Sequence, residues 1–214
     1  MNILVTAGPT REELDPVRYL SNHSSGTMGF ALAKQAFLRG AVVDLVSGPV
    51  ALTAPDGVMR YPVVSAQEMH EQVMQLLPKV DVIIKAAAVA DYRPVMRQSN
   101  KIKKGDAAPS IPLERNPDIL TEASTSSARP KVVVGFAAET HNLEAYAKKK
   151  LHEKRLDLLV ANDVTQEGAG FGCQTNIATI FDATGHAQAL PCMTKEALAN
   201  RILDRVLEQL LQKR

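Results

Sequence analysis

Cysteine is scarce in this sequence, and the scarcity excludes two classes at once. Cys173 sits in a glycine-rich loop and Cys192 beside a proline, with neither the spacing of a metal site nor the density of a disulfide framework. Two free thiols are expected. No apolar run approaches the ~20 residues needed to cross a bilayer, so no membrane role is expected. Met1 leads straight into the strand-like NILVTAG without a basic leader, so a secretory signal is not expected and a cytoplasmic location is inferred. The net charge of +2 is too small to imply a nucleic-acid partner by itself. Also missing are G-x-S-x-G, H-E-x-x-H and any histidine pair at ligand spacing. Chemistry here would have to run by positioning and electrostatics, which suits nucleotidyl or phosphoryl transfer.

What is present is an alternation. Strand-like runs at 2–7, 42–47, 58–64, 80–89, 131–139 and 156–163 are separated by helical patterns at about 26–39, 65–79, 117–127 and 142–155. This predicts a doubly wound α/β fold, a mostly parallel sheet of Rossmann-like type covered by helices on both faces. TNIATIFDAT and AQAL flank a Gly-His pair and predict a C-terminal antiparallel hairpin. A last helix over about 194–212 puts Ile202, Leu203, Val206, Leu207, Leu210 and Leu211 on one stripe, read as core packing. A hydrophobic fraction of 45% and a length of 214 residues suit a single globular domain spanning 1–214. The stretch 91–110, polar and broken by proline and glycine, predicts a long mobile loop.

The first strand ends in TAGPTREELDPVRYLSNHSSGTMG. A dinucleotide fingerprint would place its glycines in the turn straight after the strand, whereas Gly8 and Gly26 lie 18 positions apart. The second strand run also leaves no carboxylate at its tip for a ribose, because Asp44 sits mid-strand. A nicotinamide-dependent oxidoreductase is therefore disfavoured, and no Walker lysine follows Gly29. Ser24, Ser25 and Gly26 would nonetheless stand at a helix N-terminus, where unpaired amides and the positive dipole end attract an anion. A plain serine N-cap would explain those residues equally simply. It explains Asn22 and His23 less well, although a lone loop histidine is commonly just a surface residue.

A basic constellation accompanies this loop. Lys101, Lys103 and Lys104 lie in the polar stretch, and Lys150 and Lys154 are four apart on one helix face beside Leu143, Ala147 and Leu151. Two ammonium groups at that spacing can flank a polyanion, although a lysine run is ordinarily a solvated face. KAAAVADY ends a strand at the carboxyl edge where open α/β sheets bind ligands. Asp91, on that edge, could cap a turn or hold Mg²⁺ or an amine. Asn162 and Asp163 end another strand, where an Asx turn is an equal reading.

VTAGPTREELDPVRYLSNHSSGTMG, LVSGPV, AAVADYR, KIKK, NPDIL, VVGFAAET and ANDV together resemble the phosphopantothenate–cysteine ligase (phosphopantothenoylcysteine synthetase) family of bacterial coenzyme A synthesis, in order from Asn2 to about Phe171. The resemblance implies that the carboxylate of 4′-phosphopantothenate attacks the α-phosphate of CTP. The resulting acyl-cytidylate is then aminolysed by L-cysteine. It implies Asn22 acting on the acyl-cytidylate and Lys101 on the triphosphate. Nucleotide contacts are implied at Lys85, Ala86, Ala87 and Asp91, at Pro117, Asp118, Ile119 and Leu120, and at Phe136, Lys150 and Lys154. Gly8, Ser24, Ser25 and Gly26 frame the anion site. Mg²⁺ and a homodimer are expected, the latter with mid-chain strands pairing across a two-fold axis and carrying the lysine loop towards the neighbour's site. Because the chain starts at the ligase strand, no flavin is expected and a separate decarboxylase is a possible partner. Two positions depart from the family pattern: Arg115 and Thr27 stand where lysine is frequent. A nucleotide-binding module without catalysis is the non-enzymatic alternative, disfavoured by the presence of both Asn22 and Lys101.

Overall fold

Runs such as NILVTA and VIIK are apolar at nearly every position, which suits strands buried on both faces rather than on one. In the computed structural model, which describes residues 1–104, 110–139, 143–163 and 173–213, these runs form the centre of the sheet. In chain order the first half holds β1 (Asn2–Ala7), β2 (Arg11–Asp15), β3 (Arg18–Ser21), α1 (Thr27–Leu38), β4 (Val42–Ser47), β5 (Met59–Pro62) and α2 (Ala66–Leu76). There follow β6 (Val82–Lys85), β7 (Tyr92–Pro94), β8 (Leu113–Arg115), α3 (Ile119–Thr125) and β9 (Val132–Glu139). The chain closes with α4 (Leu143–Glu153), β10 (Leu158–Asp163), β11 (Thr175–Asp182), β12 (Ala187–Thr194) and α5 (Lys195–Gln212).

Eight strands form one sheet in the order β12-β11-β10-β9-β6-β1-β4-β5, parallel from β10 through β5. The pairings of β11, with β10 and with β12, are antiparallel, and β11–β12 is the predicted C-terminal hairpin. The period-2 alternation of a strand sends Ile3 and Val5 to one face and Leu4 to the other. The first face packs against α1 and α5 through Phe30, Leu32, Leu198 and Ile202. The opposite face packs against α2, α3 and α4 through Met69, Val73, Ile119, Ala147 and Leu151. The sheet is thus doubly wound. From β1 the chain moves outward to β4 and β5, then returns to β6 and builds the other way. The reversal opens a crevice at the carboxyl ends of β1 and β6.

Four expectations need correction. The strand expected over 80–89 stops at Lys85: Ala86 N and Ala88 N still donate to Thr6 O and Gly8 O, but Ala87 N and Ala90 N turn to hydroxyls, Thr6 Oγ1 at 3.2 Å and Thr10 Oγ1 at 3.0 Å. The segment before α1 is a β2–β3 hairpin and not a bare loop. Within 91–110, Tyr92–Pro94 is a strand paired with β8, and Gln98 N donates to Leu14 O at 2.9 Å, so this part is tied to the hairpin. In α5, Leu207 and Leu211 are 41% and 65% exposed, so the stripe leaves the core in its final turns. Residues 105–109, Thr140, Val164 and Phe171, which end or fall within motifs, and the side chain of Leu143, lie outside the described residues.

Candidate active site

Gly8 turns the chain at the end of β1 with φ +74°, and Gly26 enters α1 with φ +80°, both in the left-handed region that favours glycine. A Cβ on Gly26 would lie 3.2 Å from the Gly8 Cα and 3.0 Å from Val50 Cγ1. The two glycines that lie 18 positions apart in sequence therefore touch in space, with the β2–β3 hairpin looped out between them. One turn later Gly29 closes the contact, since a Cβ there would stand 2.5 Å from Ala7 Cβ. The geometry that a compact glycine fingerprint supplies locally is here assembled through an insertion.

No side chain caps α1. Ser24 Oγ accepts from Gly26 N at 3.3 Å, and Ser25 Oγ pairs with Thr27 Oγ1 at 3.1 Å. The plain serine-cap reading is thus not realised, and the first-turn residues Thr27, Met28 and Gly29 line a cavity of about 390 Å³. Asn22, Ser24, Ser25 and Gly26 line it from the helix start, Lys85, Ala86 and Ala87 from the end of β6, and Phe136 from β9. Asn22 is held by its Nδ2 donating to Ala88 O at 2.9 Å. His23 is exposed and lines no wall.

A second cavity, about 380 Å³, adjoins the first and shares Lys85, Val89, Asp91 and Phe136 with it. Pro117, Asp118, Ile119 and Leu120 enter from the start of α3, and Lys150 and Lys154 from the end of α4. Asp118 Oδ1 accepts from Thr121 N at 3.1 Å, capping α3, while Oδ2 receives Lys154 Nζ at 2.8 Å. Burial opposes ionisation of Asp118, yet these two partners outweigh it and hold the carboxyl below its usual value. Lys150 lies over the Tyr146 ring at 5.4 Å. Lys85, between the cavities, is pushed down to about 8 by burial, with the ammonium groups of Lys150 and Lys154 adding to the effect and Asp118 and Asp91 opposing it. A polyanion bound across both cavities would reverse that push.

Lys101 does not line either cavity. Its neighbour Ile102 is fixed instead: Ile102 N donates to Asp15 Oδ2 at 3.0 Å and Ile102 O accepts from Arg18 at 2.8 Å. The Arg18 guanidinium, with the Ile102 and Val17 amides, holds the Asp15 carboxyl far below the usual range despite its burial. As for metal, the described residues contain no cluster of three or more His, Cys, Asp or Glu. One carboxylate, Asp91, stands at the junction of the cavities. This suits Mg²⁺ brought in on phosphates, which needs one or two carboxylates, and does not suit an all-protein cage.

Two walls of the site, Lys195 and Asn176, carry no signal in the sequence. Lys195, from α5, lines the first cavity and is 8% exposed, although its place in the sequence marks only the start of a core-packing helix. Asn176 lines the same cavity from β11, and no local motif signals it. Asn162, for which an Asx turn is an equal reading of the sequence, is in β10 with its Oδ1 buried and without a partner among the described residues. Asn116 fixes the junction loop by donating to Ala90 O at 2.8 Å. Arg115 lines the second cavity, and Thr27 the first.

The fold and the paired cavities define a doubly wound α/β protein with a cleft at its topological switch point, lined by a helix start and by lysines. Comparison with known proteins then narrows the class. The chain belongs to the family described as the DNA/pantothenate metabolism flavoprotein C-terminal domain, which matches residues 1–210. It is 49% identical over 207 residues to the coenzyme A biosynthesis bifunctional protein CoaBC of Vibrio vulnificus, covering 96% of this chain and 51% of that protein. To CoaBC of Bacillus subtilis it is 48% identical over 206 residues, covering 96% and 50%. The chain spans about half the length of the curated relatives it matches. A crystal structure of the C-terminal domain of a CoaBC protein is similar throughout, with TM-score 0.84, 44% identity, and coverage of 99% of this chain and 96% of that one. The resemblance read from the ordered motifs holds at the level of the family.

Proposed function

We propose that the chain joins 4′-phosphopantothenate to L-cysteine at the expense of CTP. The observation that carries this reading is the pair of cavities meeting at Lys85, Val89, Asp91 and Phe136: one is an uncapped helix start beside Asn22, the other a lysine-flanked pocket. A nucleotide seated in the second cavity would direct its phosphates towards the junction, and an acyl chain in the first would meet its α-phosphorus there.

In the first step a carboxylate oxygen of 4′-phosphopantothenate attacks the α-phosphorus of CTP. The bond to the β-phosphate breaks, and its electron pair leaves on pyrophosphate. The amine of cysteine then attacks the acyl carbon, loses a proton and expels CMP, leaving the amide. Little covalent work falls to the protein, so binding and charge stabilisation carry the catalysis. The α1 amides and Lys85 offset the negative charge that develops at the junction, and Asn22, anchored on Ala88 O, contacts the acyl-phosphate. Mg²⁺ arriving with the triphosphate would be held at Asp91 and would supply charge neutralisation.

Lys101 fits its triphosphate role through a second copy of the chain. The β2–β3 and β7–β8 hairpins and the residues beside them expose Val17, Tyr19, Tyr92, Val95, Met96 and Leu113 at 46–67%, an apolar display next to the Asp15-anchored lysine segment. Burying it against its symmetry mate is the proposed homodimer, which would carry Lys101 towards a neighbouring cleft.

The test is pyrophosphate release by purified protein with Mg²⁺, 4′-phosphopantothenate and L-cysteine, comparing CTP with ATP and omitting cysteine in a control. Release that needs CTP, with amide product only when cysteine is present, is the expected result. A chain that releases no pyrophosphate with either nucleotide would overturn the reading.

A further inference from the structure

One buried cation has no part in the proposed ligation, and the role assigned to it here rests on that reading of the cleft. Lys195 is the first residue of α5, behind the Thr194 cap, and is 8% exposed. Its Nζ donates to Thr27 Oγ1 at 2.8 Å, and Thr27 is the first residue of α1. A lysine that begins one helix thus places its ammonium at the start of another. Helix starts carry positive partial charge, so a cation there is disfavoured unless an anion answers it.

Among the described residues no carboxylate does so. The adjacent Glu196 is paired with Lys34 at 2.7 Å, and the hydroxyl that Lys195 meets on Thr27 is neutral. Burial depresses the lysine's pKa, with Cys173 acting in the other direction. A surface lysine would escape this arrangement by pointing into water. Lys195 instead lines the first cavity together with the Ser25–Thr27 hydroxyl pair and with Asn162, whose buried Oδ1 has no partner among the described residues.

We infer that Lys195 binds a phosphoryl group in the first cavity, closing the helix-start anion site from the C-terminal helix. Bound there, the phosphoryl oxygens would meet the start of α1 and the ammonium together, and both would have their missing counter-charge. Both the nucleotide and 4′-phosphopantothenate carry such a group.

Calorimetric titration of the full chain with CTP, with inorganic pyrophosphate and with 4′-phosphopantothenate, each alone, tests this and distinguishes the sources. Lys195→Met keeps the apolar stem and removes the charge; Lys195→Arg keeps the charge. Losing a charge-assisted contact should weaken the phosphoryl ligand by about ten- to hundredfold in Lys195→Met, and Lys195→Arg should recover most of it. A loss shared by CTP and pyrophosphate assigns the triphosphate, and a loss confined to 4′-phosphopantothenate assigns that phosphate. In turnover, KM for the affected substrate should rise more than kcat falls. If Lys195→Met does not fold, Lys195→Gln carries the same test. Unchanged affinity for all three ligands in a folded variant overturns the proposal, as does an equal loss for all three that Lys195→Arg fails to recover. Lys195-dependent pyrophosphate binding in a chain that forms no product would overturn the ligase reading while leaving this one standing.

Discussion

Asn22 and Lys85 show how much a single side chain's surroundings decide. Asn22 is exposed but tethered to Ala88 O, so its carboxamide is fixed in place while remaining open to the cleft. Replacing it with aspartate puts a negative charge beside the proposed phosphoryl site. Asn22→Asp should leave CTP-dependent pyrophosphate release detectable while cutting amide product at least about a hundredfold, in line with losing a donor aimed at developing charge. Full product at the wild-type rate would sink its role. Lys85 leads to a pH prediction. Its pKa in the folded protein is lowered to about 8 from 10.5, so between those values the unfolded chain binds more protons than the folded one. Its contribution to stability therefore rises with pH across that window and is flat below it. Anion binding runs the opposite way, because a bound triphosphate favours the charged form. Nucleotide affinity measured without cysteine should weaken as pH rises through about 8, and Lys85→Gln should flatten that profile.

Among the elements, the α1–β1 contact positions the helix start on which the proposed anion site is built. Gly29 packs directly on Ala7, with Thr6 O 3.0 Å from where a Cβ would be. Backbone cannot yield as a flexible side chain would, so Gly29→Ala must lift the helix start away from the strand end. It should cost about 2 kcal/mol by overpacking, seen as a lower thermal midpoint, and should weaken CTP binding as well. Gly40→Ala is the control at the other end of the same helix, where the position is open but φ is +83°, so stability falls without a change in nucleotide affinity. The β2–β3 hairpin is not legible in the sequence because its strands, REELD and RYLS, are polar and short; its pairing is held by Asp15 bonding to Arg18 and to the Ile102 amide, 87 residues away.

At the scale of the whole molecule the prediction concerns assembly. If the exposed hairpin residues bury against a second copy, Val95→Glu with Met96→Glu should convert a dimer to a monomer by analytical ultracentrifugation. Both side chains are more than half exposed, so the thermal midpoint should fall by no more than a few degrees, while product formation should drop with the loss of the neighbour's Lys101. A wild-type chain that sediments as a monomer at micromolar concentration would remove the dimer and, with it, the proposed route for Lys101 into the cleft.

The sequence by itself determined the doubly wound sheet, its central strands and the residues of the cleft that announce themselves locally. Both-face burial writes continuous apolar runs, and a helix start needs small polar residues beside it. Asn22, the Ser24–Gly26 turn and the pair Lys150 and Lys154 fall within such local signals, whereas Lys85 and the segment Pro117–Leu120 are marked only by resemblance to a family's ordered motifs. Only the tertiary structure decided that Gly8 and Gly26 touch, that Asp118 takes Lys154, that Lys101 lies apart from both cavities, and that Lys195 reaches the start of α1 from 168 residues away. Those contacts depend on packing between elements distant in sequence, where neither hydrophobic period nor spacing leaves a trace.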